Sequence, residues 1–220
     1  KSQSFNLSQA YHGIGIPNLY QGNIEKAITV FERCLELCKE SDLKVAFPET
    51  TSHLGYAYAL GGRSEEGVSL LEQGLKETTL QGQRIFEPLW MALLGEGELM
   101  AGRSGDATRT ADRALTLSRE RKERGHEVWA LRLLGEIHSN PEALDAEKAE
   151  DYYRAALALA SELGMRPLIA HCRKGLGALY GRMGREEKGR EELTAAINMY
   201  RDMEMTFWLE KAEEALAGAG

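Results

Sequence analysis

Large apolar, small and aromatic residues recur along this 220-residue chain in one local order that returns about every 40 positions. Gly15, Gly55, Gly95, Gly135 and Gly177 mark the register, each among apolar residues three and four apart, the spacing of one helix face. In the first unit Tyr11, Ile14 and Gly15 share such a face, Gly22 marks a turn, and Ala27, Phe31 and Cys34 form the stripe of a second helix. The second unit reads Leu54, Gly55, Tyr58, Gly62, Gly67, Leu71, Gly74, and the third reads Leu94, Gly95, Gly102, Ala107, Ala111, Ala114. The fifth reads Leu176, Gly177, Tyr180, Gly184, Gly189, Leu193, Ala196. The fourth keeps the order in Leu134, Gly135, Ala149, Tyr153 and Ala156, but Gly135 to Ala149 spans fourteen residues where the other units have twelve.

A fixed period of this length predicts an all-α array of five helical hairpins, at residues 8–40, 48–81, 86–121, 125–163 and 167–203, after a linker at 1–7. Glycine inside a helix costs about 1 kcal/mol relative to alanine, so five of them imply close helix–helix contacts that repay the loss. Gly22, Gly62, Gly102 and Gly184 have a different role, ending first helices where a left-handed backbone is cheap. Pro48, Pro88 and Pro167 stand near first-helix starts, where a missing N–H does no harm. Pro17 lies inside the first helix and predicts a kink or break there. In the fourth unit Asn140-Pro141 and Asp145 predict a bulge or short helical turn before the main helix. Residues 204–217 read as a capping helix, with Trp208, Ala212, Ala215 and Leu216 on one side and Glu210, Lys211, Glu213 and Glu214 on the other. Residues 1–8 are too short for an equivalent cap, so the first hairpin is expected to present an open outer face around Tyr11, Ile14 and Phe31. A preceding repeat, another domain or a second copy making a dimer would cover that face.

The order Leu-Gly, Tyr, Gly, Ala, Phe, Ala over about residues 8–203 resembles the tetratricopeptide repeat, with a period nearer 40 than the usual 34. In this it is similar to the extended form in the maltotriose-responsive bacterial activator and its relatives. The resemblance implies a right-handed superhelix, an α-solenoid whose concave side binds peptide or protein. A narrower likeness lies in residues 149–216, where ELGMRP, AHC and MTFWL resemble the C-terminal tail of large bacterial signalling proteins. Those proteins join a nucleotide cyclase domain and an AAA-type or STAND-type ATPase to tetratricopeptide repeats.

Composition narrows the partners. With a formal net charge of -7 and no uninterrupted Lys/Arg block, the chain lacks the clustered cations that phosphate neutralisation needs, which argues against nucleic acid. No apolar run approaches the roughly 18 residues of a membrane helix. Three cysteines without paired spacing suit a reducing, cytoplasmic setting. The chain starts at Lys1 without Met or a signal-peptide pattern, and is therefore expected to be part of a longer protein.

Candidate catalytic chemistry dissolves into the repeat. Gly13-x-Gly15 and Gly175-x-Gly177 have no strand before them and no dinucleotide role, and the REEK segment between Gly184 and Gly189 lacks a P-loop Lys-Ser/Thr. Cys34 with Cys38, and His171 with Cys172, each lack a second pair at zinc spacing, so neither metal nor cofactor is expected. No enzyme is expected either. What remains is the face of the first helices away from the Leu-Gly contact. Projecting the helical period gives His12, Glu49, Tyr56 and Glu96 toward one end, and Trp129, Arg132, Glu136, His171, Lys174 and Arg182 toward the other. The first group is acidic and apolar; the second sets Trp beside cations, the residue types of interface anchors. Chaperone-binding tetratricopeptide domains grip a carboxylate with Lys and Asn on successive first helices; the matching positions here carry His12, Ser52, Ala92, Arg132 and Lys174 without Asn, which argues against a receptor of that kind. The same positions would also suit solvated helix faces with a half-buried Trp. Two functions stay open: a non-catalytic protein-interaction scaffold, or the regulatory tail of a cyclase or STAND-type ATPase in which upstream domains of the same chain are the partner.

Overall fold

A computed structural model describes residues 2–82 and 85–218, and among them every regular element is helical. Residues up to Thr110 form one compact unit and residues from Ala111 a second. The first holds α1 (Ser2–Gln21), α2 (Ile24–Glu40), α3 (Phe47–Leu60), α4 (Ser64–Leu80) and α5 (Glu87–Met100). α6 (Ser104–Glu120) begins in the first unit and ends in the second, which continues with α7 (Arg124–His138), α8 (Ala146–Glu162), α9 (Arg166–Arg182), α10 (Glu186–Asp202) and α11 (Thr206–Ala217). Within the units α1 pairs with α2, α3 with α4, α7 with α8 and α9 with α10.

The helix glycines mark where these pairs cross. A Cβ on Gly55 of α3 would lie 2.7 Å from the Gly67 carbonyl oxygen of α4, and one on Gly67 would lie 2.5 Å from the Gly55 carbonyl oxygen. Gly177 and Gly189 repeat that reciprocal contact between α9 and α10, at 2.9 and 3.0 Å. Elsewhere a ring fills the space: Phe31 lies 2.6 Å from a Gly15 Cβ position, and Tyr153 is wedged between Gly135 and Gly175, at 2.8 and 2.4 Å from theirs. Around these contacts alanines and leucines such as Ala27, Leu71, Ala156 and Leu193 are fully buried.

The helix ends follow the sequence signals. Pro48, Pro88 and Pro167 stand at the first or second positions of α3, α5 and α9. The inserted segment forms a 3-10 turn over Pro141–Ala143, capped by the Asn140 side chain, and Asp145 caps α8 by accepting from the Lys148 amide at 3.2 Å. α11 buries Ala212 and lays Trp208, Leu209 and Leu216 against Ala196, Ile197 and Tyr200, as a capping helix does.

Three expectations need correction. α1 starts at Ser2, so residues 2–7, expected as a linker, are helical. The helix also continues through Pro17, so the break, one of the two outcomes expected there, does not occur. Gly13, whose carbonyl loses the Pro17 amide, lies on the exposed side with Pro17, where water replaces the missing donor at modest cost. Phe31 is fully buried rather than open; only Ile14, 48% exposed, and in part Tyr11 face outward.

Left-handed residues follow the second helices at the same period: Asp42, Gly82, Lys122, Gly164 and Glu204 all have positive φ, although only two are glycine. A side chain in this region costs roughly 1–2 kcal/mol. Exchanging Lys122, exposed and at φ 58°, for glycine is therefore expected to raise stability by about 1 kcal/mol in urea unfolding. A lower midpoint would contradict this account of the turn.

Candidate functional site

Each unit gathers its predicted residues separately. In the first, α1 carries His12, α3 carries Glu49 and Tyr56, and α5 carries Glu96. His12, Tyr56 and Glu96 are each 3% exposed. The Tyr56 hydroxyl donates to Glu96 Oε2 at 2.8 Å, joining positions one repeat apart. The Thr50 hydroxyl donates to the Ala46 carbonyl at 2.8 Å, so its lone pairs receive the His12 Nε2–H, also at 2.8 Å. His12 Nδ1 then faces Glu49 Oε2 at 3.4 Å. Burial holds His12 down at about 4 and raises the Glu49 carboxyl.

Residues outside the projection complete this cluster. The His53 ring stacks on Phe31 at 5.4 Å and meets Trp90 edge-on at 5.0 Å; burial, with His12 nearby, pulls its pKa to about 3. Glu96 and Glu49 add to the burial that raises the Tyr20 hydroxyl. Cys34 and Cys38 lie 3.4 and 3.7 Å from the same Thr50 oxygen. Among the described residues no group of three His, Cys, Asp or Glu could hold a metal ion. The arrangement is a mostly buried polar network, satisfied at His12 Nε2 and Thr50 but with His12 Nδ1 left without a hydrogen-bond partner among the described residues. A groove of about 650 Å³ in the same unit is lined by Glu32, Glu36, Glu66, Leu54 and Tyr58 among others, and by none of the predicted residues.

The second unit is different. Trp129, Arg132 and Glu136 lie at helical spacing on α7, with the Arg132 guanidinium 5.5 Å from the Trp129 ring centre and donating to Glu136 Oε2 at 2.8 Å. On α9, His171 Nδ1 shares a 2.7 Å hydrogen bond with the Tyr200 hydroxyl, and its ring stands edge-on to Trp208 at 4.6 Å. Lys174 Nζ sits 5.7 Å from the Trp208 ring. Arg132 and Lys174, added to burial, hold His171 well below the usual imidazole range, so it is neutral. Arg132 is buried, whereas Trp129, Glu136, His171, Lys174 and Trp208 are half-buried and reach solvent. Arg182 does not join them: it is exposed at the end of α9, about 12 Å along the helix from Lys174. Tyr200 and Trp208 escaped the projection because they arrive from α10 and α11, whose side chains a first-helix period cannot place.

Residues 8–41 match the tetratricopeptide repeat family. No curated protein matches the chain in sequence. Three solved structures share the fold at low identity. A Rap protein complexed with Competence and Sporulation Factor aligns at TM-score 0.80 and 15% identity, over 97% of this chain and 62% of that one. Aspartyl phosphate phosphatase F from Bacillus subtilis aligns at TM-score 0.67 and 13% identity, over 99% of this chain and 60% of that one. A Signal Transduction ATPase with Numerous Domains (STAND) protein with a tetratricopeptide repeat sensor, from Pyrococcus horikoshii, aligns at TM-score 0.66 and 19% identity, over 97% of this chain and 34% of that one. The chain thus spans less than two thirds of each of these proteins. What it shares with them is an all-helical architecture of tetratricopeptide-like hairpins. Among the described residues no helix is long and apolar enough to cross a membrane.

Proposed function

We propose that this chain, with its tetratricopeptide-like fold, is a non-catalytic docking module that binds a peptide segment of a protein partner on the first helices of its second unit. One observation carries the reading: α7 and α9 bring Trp129, Arg132, His171 and Lys174 together, with Trp208 beside them, half-buried and within reach of solvent apart from Arg132. Aromatic residues and Arg are the side chains that most often dominate binding energy. The three free, buried cysteines support a cytoplasmic setting. Peptides selected against the whole chain from a display library are expected to slow hydrogen exchange in α7 and α9. Protection confined to α8 and α10, or none, would contradict the reading.

The STAND protein with its tetratricopeptide sensor favours a second reading, in which this chain is the sensory part of a larger signalling ATPase or cyclase. A full-length protein with a nucleotide-hydrolysing or cyclase domain ahead of residue 1, whose rate changes on peptide binding, would support it. A full-length protein without such a domain would contradict it.

A further inference from the structure

We propose that Cys34 and Cys38 of α2 form a two-thiol site for a soft metal ion that accepts two ligands, copper(I) being the example among cellular metals. The site lies in the first unit and does not rest on the docking reading. The two cysteines stand four residues apart on one face of α2, a spacing that sets β-carbons about 5–6 Å apart. Two metal–thiolate bonds, about 2.3 Å each in zinc sites, can bridge it. The side chains converge: the thiols are within hydrogen-bond reach of each other, and their sulfurs lie 3.4 and 3.7 Å from the one Thr50 oxygen. No disulfide joins them. Cys172, the third cysteine, is buried in the second unit on α9 and has no second thiol beside it.

The donor set selects the ion. His12 Nε2 carries the proton it donates to Thr50, so that nitrogen offers the pair no lone pair, and among the described residues no group of three His, Cys, Asp or Glu could hold a metal. Zinc and iron–sulfur centres, held by four ligands, are therefore unsuited, whereas thiolates select copper(I) and two of them suffice for it. The Thr50 hydroxyl adds a reason for the pair to give up its protons. It donates to the Ala46 carbonyl and accepts from His12, which leaves one lone pair to serve two thiols. Cys34 has only the Ser8 carbonyl besides, at a long 3.8 Å. An ion that displaces both thiol protons to solvent ends that competition. The path inward is short. Cys38, 2% exposed, forms part of the wall of a surface cavity of about 440 Å³ with Leu43, Lys44 and Phe47, and Cys34 follows one helical turn back.

The test titrates the reduced whole chain, without oxygen, into copper(I) held by the chromophoric chelator bicinchoninate. One ion per chain is expected to leave the chelator, and Cys172→Ser should not change its affinity. Cys34→Ser and Cys38→Ser should each weaken binding by more than about 100-fold, beyond the loss that follows from removing an outer-shell partner. Both serines would be buried, so X-ray absorption of the copper-loaded wild type gives a reading independent of how the variants fold. The bound copper should show two sulfur neighbours and no nitrogen. A wild type that takes no copper from the chelator, wild-type affinity in Cys34→Ser or Cys38→Ser, one ion shared by two chains, or a nitrogen neighbour would each overturn the proposal. So would zinc(II) that binds the wild type with one ion per chain and is lost with Cys34→Ser, because the site would then hold more than two donors.

Discussion

Gly67→Ala is expected to destabilise the chain by about 2–3 kcal/mol, although alanine is the better helix former by about 1 kcal/mol. The new methyl carbon would stand 2.5 Å from the Gly55 carbonyl oxygen and 2.8 Å from the Ala59 backbone nitrogen. Neither is a side chain that can swing away, so α3 and α4 must separate and lose the packing of Leu71 and Val68, both 1% exposed or less. Gly13→Ala supplies the contrast. Nothing lies within 4 Å of its Cβ position, and its helical backbone suits any residue, so that exchange is expected to stabilise by about 0.5–1 kcal/mol. Urea unfolding of both variants measures the difference. Equal effects would mean that the helix glycines are not there for close approach.

Acid is expected to weaken the first unit through its two buried imidazoles. His12 and His53 are held near 4 and 3 in the folded chain and would titrate near 6.5 once unfolded. Between those limits the unfolded state binds more protons, so stability is fully present above about pH 6.5 and is lost as pH falls toward the folded values. His12 alone accounts for roughly 2–3 kcal/mol by about pH 4.5. Glu49 works against this: its raised pKa makes the folded state relatively better at acid pH, and ionised it would pair with a protonated His12. His12→Gln can still donate to Thr50 but cannot titrate. Its unfolding free energy should depend on pH less steeply than the wild type between about pH 7 and 4.5 by that amount. Parallel pH profiles would show that His12 is solvated in solution.

The repeat was legible because packing partners keep a constant offset. Gly15 meets Phe31, Gly55 meets Leu71 and Gly177 meets Leu193 sixteen residues on, while Gly135 meets Tyr153 after eighteen, the two-residue insertion read from spacing alone. Turn glycines were equally readable, since Gly22, Gly62, Gly102 and Gly184 all take positive φ. The left-handed Asp42, Lys122 and Glu204 were not, because nothing local marks a non-glycine residue held there by the helix on either side. Nor was the length of α1, since residues 2–7 carry weak periodicity and a helix-interior Pro costs less where water reaches its orphaned carbonyl.

The candidate face was legible only in part. Helical projection picked Trp129 and Arg132, which lie on α7, and His171 and Lys174, which lie on α9, but it could not separate buried from accessible positions. Arg182 shares the α9 period yet stands apart, and His12, Tyr56 and Glu96 share the pattern yet are buried. Side chains from other elements decide this. Thr50 of α3 engages His12, and Trp208 of α11 completes the face on the second unit, and neither relation follows from the period of a single helix.

The most direct test of docking reads the three indole N–H resonances, of Trp90, Trp129 and Trp208, while a peptide selected from the display library is titrated into the isotope-labelled chain. Trp129 and Trp208 should shift together and saturate at one peptide concentration, while Trp90, 3% exposed in the first unit, stays in place. Movement of Trp90 alone, or saturable binding that leaves Trp129 and Trp208 unmoved, would contradict the account.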